Sequence, residues 1–179
     1  AALFAPQDAE ALCYRLAASL GASKKSAGDL SVDQAGNFIL RDKQLRLLMG
    51  ANGHYDVHFG QANLENDRTL DPTKARQTAE SLISALGVDK DVQLTLADVV
   101  HRHTQGASAK GSGSIDKSRV VETIVEFRQT IDGFRTVSNG AGVVRVGVDN
   151  DGNVTSFHNS TRPVASLSEK PRSQAPAPG

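Results

Sequence analysis

Five histidines, one cysteine and an even spread of carboxylates are the groups in this chain that could do chemistry. His101 and His103 stand two residues apart near the end of a stretch that reads as a strand, and the strand period of two puts both imidazoles on one face. His54 and His58 share a face by the same rule. With Asp98 or Asp56 as a further ligand, such pairs would suit Zn²⁺ or Cu²⁺. Imidazoles on a half-exposed strand are more often plain surface residues, so we expect no metal, no cofactor and no metal-dependent stability. Asp149-Asn-Asp-Gly152 resembles the opening of a Ca²⁺ loop. The position where an EF-hand needs its bidentate Glu is Ser160, however, so the segment reads as a hairpin turn. Asn159-Ser-Thr161 fits the glycosylation sequon. Cys13 lies on the apolar side of an expected helix and reads as a small buried hydrophobe. His-Glu-x-x-His, Gly-x-Ser-x-Gly, Cys-x-x-Cys and phosphate-cradling loops do not occur, and no spacing marks a nucleophile with its base. We therefore expect no enzymatic activity.

Composition narrows the partners. Twenty basic and twenty acidic side chains cancel, and no basic stripe is interleaved with aromatics, so nucleic acid is not an expected partner. No apolar run is long enough for a membrane span. Trp is absent and aromatics are few, which leaves an aliphatic core. An Ala-rich start without Met fits a processed protein that is secreted, periplasmic or held at the cell surface. The stretch 166–179 is rich in Ser, Pro and Ala and reads as an extended tail.

The elements that must position these groups can be read from periodicity. A helix is expected over 8–20, with Leu12, Cys13 and Leu16 on one side and Gly21 as its stop. A second helix starts after Asp71-Pro72, an N-cap followed by Pro at the first helical position, and ends at Gly87. Strands are expected over 29–33, 37–42, 44–49, 54–59, 92–103, 120–130, 134–137, 143–148 and 154–158. Asp132-Gly133 and Asp151-Gly152 are hairpin signals, and 105–118 is a long flexible loop. Both halves read as a helix followed by an antiparallel meander, and Ser31-Val-Asp-Gln-Ala-Gly-Asn-Phe38 even echoes Gly147-Val-Asp-Asn-Asp-Gly-Asn-Val154, which suggests a structural duplication. The expected fold is α+β, as two helix-plus-antiparallel-sheet units: 1–66, then 67–165, with 166–179 as a tail.

The spacing Phe127-x-Gln129-x-x-x-Gly133-x-x-x-Val137, followed by Val146-x-Val148-Asp149-x-Asp151-Gly152-x-Val154, resembles the propeptide region of thermolysin-like and fungalysin-like metalloproteases, within the wider group of PepSY-type domains. The resemblance implies a cystatin-like helix-on-sheet unit and a non-catalytic extracytoplasmic role. Such modules inhibit, fold or hold another protein. It also points to Phe127, Gln129, Asp132, Gly133 and Val137 as partner-binding residues. The expected function is that of a binding module, inhibitor or folding chaperone of a secreted hydrolase such as a metalloprotease. The alternative is a structural subunit that joins copies of itself in an extracellular assembly. An enzyme on a cystatin-like sheet is a third reading.

Overall fold

The computed structural model describes residues 6–19, 30–41, 45–60, 62–105, 117–136 and 140–162. In chain order these form α1 (Pro6–Ser19), β1 (Leu30–Val32), β2 (Phe38–Arg41), β3 (Leu45–Met49), β4 (Tyr55–Phe59), α2 (Pro72–Ala85), α3 (Val88–Asp91), β5 (Gln93–Thr104), β6 (Arg119–Ile131), β7 (Phe134–Arg135), β8 (Val143–Asp149) and β9 (Val154–Asn159). The expected loop at 105–118 falls largely outside the described residues, as do Gly21, Val137 and the tail at 166–179.

All nine strands join one antiparallel sheet in the order β1-β2-β3-β4-β9-β8-β6-β5, with β7 paired to the end of β6. This corrects the expected α+β pair of helix-plus-sheet units. The described residues are sheet-dominated, with three short helices among them. The physical reason is the pairing of β4 with β9, which sets Val57 opposite Phe157 and Asp56 opposite His158. The last strand of each meander would have been an open edge, and each covers the other.

Strand alternation gives the sheet two different faces. One cross-strand row runs Leu30, Leu40, Leu47, Val57, Phe157, Val146, Val125 and Val99, apolar on every strand it crosses. Cys13 and Leu16 of α1 and Ala75, Ala79 and Ile83 of α2 join these residues in one core, so both helices cover this face. Tyr55 stacks on Phe157 across the seam, with ring centroids 5.8 Å apart. Asp71 caps α2 by accepting from the N–H groups of Thr73 and Lys74, and these bonds hold its carboxyl below its usual range. Gly87 ends the helical run in the left-handed region, at φ 71°.

The sequence echo is a repeat of turn chemistry. Asp33 Oδ1 accepts from the N–H groups of Ala35 and Asn37. Asp149 Oδ1 accepts in the same way from Asp151 and Asn153. One turn joins β1 to β2 and the other joins β8 to β9, which are not corresponding positions in the two halves. Hence the echo does not map one half onto the other.

A seam buried this deeply should make unfolding cooperative. We expect Phe157→Ala to cost about 3–4 kcal/mol in a single urea transition, with tyrosine fluorescence and far-UV circular dichroism coinciding. Two separated transitions would show that the halves hold together independently.

Candidate functional site

β5 is the last strand of the sheet. β6 pairs with one side of it along its whole length, and among the described residues no strand pairs with the other. The opposite edge, β1, has only three residues. Within β5, Leu96 lies opposite Phe127 but Asp98 lies opposite Glu126, so Ala97 is the extra residue of a β-bulge. Beyond the bulge, Asp98 Oδ1 accepts from the N–H of Val99 at 2.8 Å. The Val99 N–H therefore points away from β6. By the alternation of antiparallel pairs, the backbone groups of His101 also face outward, while those of Val100 and Arg102 face β6. Asp98, Val100, His101 and Arg102 all have exposed side chains.

Behind this edge, on the face away from the helices, Glu122 is buried to 1% exposure. Arg102 Nη2 lies 2.9 Å from Glu122 Oε2, but off the line of a hydrogen bond. The hydroxyl of Thr155 donates to Oε1. Thr155 is itself the unpaired residue of a bulge, between Val154 opposite Val148 and Ser156 opposite Gly147. Gly147 has a steric role: a Cβ there would strike the Glu122 carboxyl and the Ser156 hydroxyl. With His58 and Leu64, Arg102, Glu122, Thr155 and Ser156 line a pocket of 290 Å³. The carboxylate in it is matched by one cation and one hydroxyl, an arrangement that fastens β5 to β6.

A charged row crosses the same face through Asp56, His158, Arg145, Glu126 and Asp98. His158 Nδ1 lies 2.7 Å from Asp56 Oδ1, and this hydrogen bond holds the Asp56 carboxyl below its usual range. Arg145 and Arg128 both grip Glu126, at 2.6 and 2.7 Å. Burial pushes the Glu126 carboxyl up, but the hydrogen bonds and charges of Arg145 and Arg128 together bring it below its ordinary value. Burial also pushes the His54 imidazole down, reinforced by the positive charges of Arg162 and His158.

The two histidine pairs do not meet. β9, β8 and β6 separate His54 and His58 from His101 and His103. His101 Nδ1 is bonded to Thr123 Oγ1 and His103 Nδ1 to Ser118 Oγ. Among the described residues no three His, Cys, Asp or Glu side chains are grouped to hold a metal ion. Cys13 is fully buried with its Sγ 3.9 Å from Met49 Sδ, and burial, aided by Glu10, pushes its thiol up to about 11. Among the described residues no helix is long and apolar enough to cross a membrane.

The residues that the family resemblance singles out are dispersed. Phe127 is in the core, at 5% exposure. Gln129 is buried and clamps the backbone leaving β9: its Nε2 donates to the carbonyl of Arg162, and its Oε1 accepts from the N–H of Arg162. Asp132 and Gly133 form the exposed two-residue turn between β6 and β7, both at positive φ as a type I′ turn requires. Val137 lies outside the described residues. The β5 edge, the Arg102–Glu122 pair and the Asp56–His158 bond escaped sequence reasoning. The alternation of Asp98, Val100 and Arg102 along one strand is a signal that could have marked the first of these.

No protein-family model matches the chain, no curated protein matches it, and no solved structure matches it.

Two expectations follow from the charged face. Arg102→Ala leaves Glu122 buried without its cation and should cost about 2 kcal/mol, discounted for the exposure of the arginine. In a Glu122→Gln background the same substitution should cost much less, and an equal cost would show that the pair is not coupled. The lowered carboxyls of Asp56 and Glu126 contribute stability at neutral pH that is lost as pH falls through their folded values. Glu126→Gln should therefore cost about 1 kcal/mol at neutral pH and flatten the acid limb of a stability–pH curve below about pH 4.

Proposed function

We propose that this protein is a non-catalytic, extracytoplasmic protein-binding module that inhibits or chaperones a secreted hydrolase such as a metalloprotease. It holds an extended segment of that partner along the free edge of β5. The observation that carries this reading is the twelve-residue β5 strand with one side open among the described residues. An added strand would find outward N–H and C=O groups at Val99 and His101 and gain ladder hydrogen bonds, each worth about 0.5–1.5 kcal/mol net. Val100, 44% exposed, offers an apolar contact between the charges of Asp98 and Arg102, which would discriminate among incoming side chains.

The class of partner comes from the resemblance of the 127–137 and 146–154 spacings to metalloprotease propeptides. The non-catalytic reading draws support from how the reactive groups are engaged. His101, His103 and His158 each spend a ring nitrogen on a neighbouring side chain, and the Cys13 thiol stays protonated at neutral pH.

The test is titration of a thermolysin-type metalloprotease with the full chain. We expect a 1:1 complex on size-exclusion chromatography and slowed peptide hydrolysis. His101→Pro removes an outward N–H without breaking a ladder bond and should weaken the complex by about tenfold or more, with circular dichroism unchanged. Val100→Lys, an exposed change on the same edge, provides the reading where the proline variant fails to fold. A chain that neither binds nor slows the protease would overturn the proposal, as would a complex indifferent to both substitutions.

A further inference from the structure

We propose that, when no partner segment lies on it, the β5 edge pairs antiparallel with the β5 edge of a second copy about a two-fold axis through Val100, setting Asp98 of each chain opposite Arg102 of the other. This rests on the reading of β5 as a strand-adding edge. It adds a rule for that edge: self-pairing and partner binding exclude one another.

The register follows from the backbone and the charges. An isologous contact brings a strand against its own reversed copy. Outward-facing residues must meet outward-facing residues, so the axis passes through a residue and not between two. An axis through Asp98 or through Arg102 sets like charges face to face. An axis through Val99 sets Asp98 against Val100, and one through His101 sets Val100 against Arg102. Only the axis through Val100 places the carboxylate opposite the guanidinium, and it does so twice.

Val99 then exchanges backbone hydrogen bonds with His101 of the other chain. Val100 meets its own copy as a non-hydrogen-bonded pair, the closer of the two kinds of pair. Its exposed side chain is covered by an identical one. The Ala97 bulge stops the ladder beyond Asp98 and confines it to a few residues, so the dimer should be concentration-dependent. Arg102 can keep Glu122 while meeting the second Asp98, because a guanidinium carries five N–H donors. Asp98 must turn from the Val99 N–H to the incoming arginine, which frees that N–H for the ladder.

The test uses the full chain with Val100→Cys and, separately, Asp98→Cys, each treated with a short bismaleimide and followed by sedimentation velocity. The wild type is the control, since Cys13 is buried and its thiol is pushed up to about 11. We expect Val100→Cys to cross-link to a dimer far more efficiently than Asp98→Cys. Asp98→Lys should weaken wild-type dimerisation by about tenfold. A Val100→Cys chain that stays monomeric and cross-links no better than the wild type overturns the self-pairing, as does a preference for cross-linking at Asp98. Each failure has its own signature. A monomeric chain that still captures the metalloprotease through β5 removes the self-pairing and leaves the binding reading. A dimer cross-linked at Val100, formed by a chain that binds no metalloprotease, removes the binding reading and leaves the self-pairing. A cross-linked dimer that binds the protease as well as the monomer does removes the exclusion rule.

Discussion

The pairing of β4 with β9 is the constraint on which the rest of the structure depends. It closes a row of aliphatic and aromatic side chains from Leu30 to Val99 across the whole sheet, and it places the Tyr55–Phe157 stack at the middle. Without it, Val57 and Phe157, now at 0% and 1% exposure, would each border an open edge. Burying such side chains is worth about 1.5–3 kcal/mol apiece, so the seam outweighs any single hydrogen bond in the ladder. α1 packs on β2 and β3 and α2 on β6 and β8, so each helix lies on its own side of the seam and together they cover one continuous apolar face.

Closing the middle has a consequence at the ends. Joining two meanders by their last strands leaves the first strand of each, β1 and β5, as the borders of the sheet. β1 is three residues long and offers little to pair with. β5 is twelve, alongside the long β6, so among the described residues the open backbone of the sheet is concentrated there. The face away from the helices is organised by the same register. Opposed strands bring Asp56 to His158, Arg145 to Glu126 and Arg102 to Glu122. Polar and charged groups too distant in sequence to have been paired by inspection thus meet in rows.

Local chemistry was legible in the sequence; long-range chemistry was not. Asp71-Pro72 and Gly87 marked the ends of α2, and Asp132-Gly133 marked the β6–β7 turn, because capping and positive φ are properties of a few adjacent residues. The alternation in 120–130 located β6 for the same reason. Sheet order is different. Nothing near Val57 states that its neighbour is Phe157, since a pleated strand with one apolar face can pair with any other of the same kind. The Asp33 and Asp149 turns are alike because an Asp followed by Gly and Asn makes the same bonds in any tight hairpin, so their likeness carries no information on which strands correspond. Gln129 stood out at a family-like offset, yet its buried amide is occupied by the backbone of Arg162, a contact across 33 positions. Gly147 gave no signal, since its role depends on a carboxylate from another strand.

The β5 edge combines openness with weak guards, and their relative sizes decide what it can accept. The bulge at Ala97 twists the strand and shortens any ladder built on it. Asp98 covers the Val99 N–H with a charge-assisted hydrogen bond, worth about 1.5–3 kcal/mol before solvent is counted and less at an exposed site. An arriving strand must displace that carboxylate and supply a bond in its place. A strand with no cation for Asp98 displaces the carboxylate without giving it a new partner, so it gains one bond and loses another. A strand that brings a cation opposite Asp98 satisfies the carboxylate and the freed N–H together, and it then adds the pairings at His101 and the apolar contact at Val100. In the proposed binding reading this guard would act as a filter on charge pattern, resisting unselective edge-to-edge pairing and yielding to a segment with a positive side chain at that position.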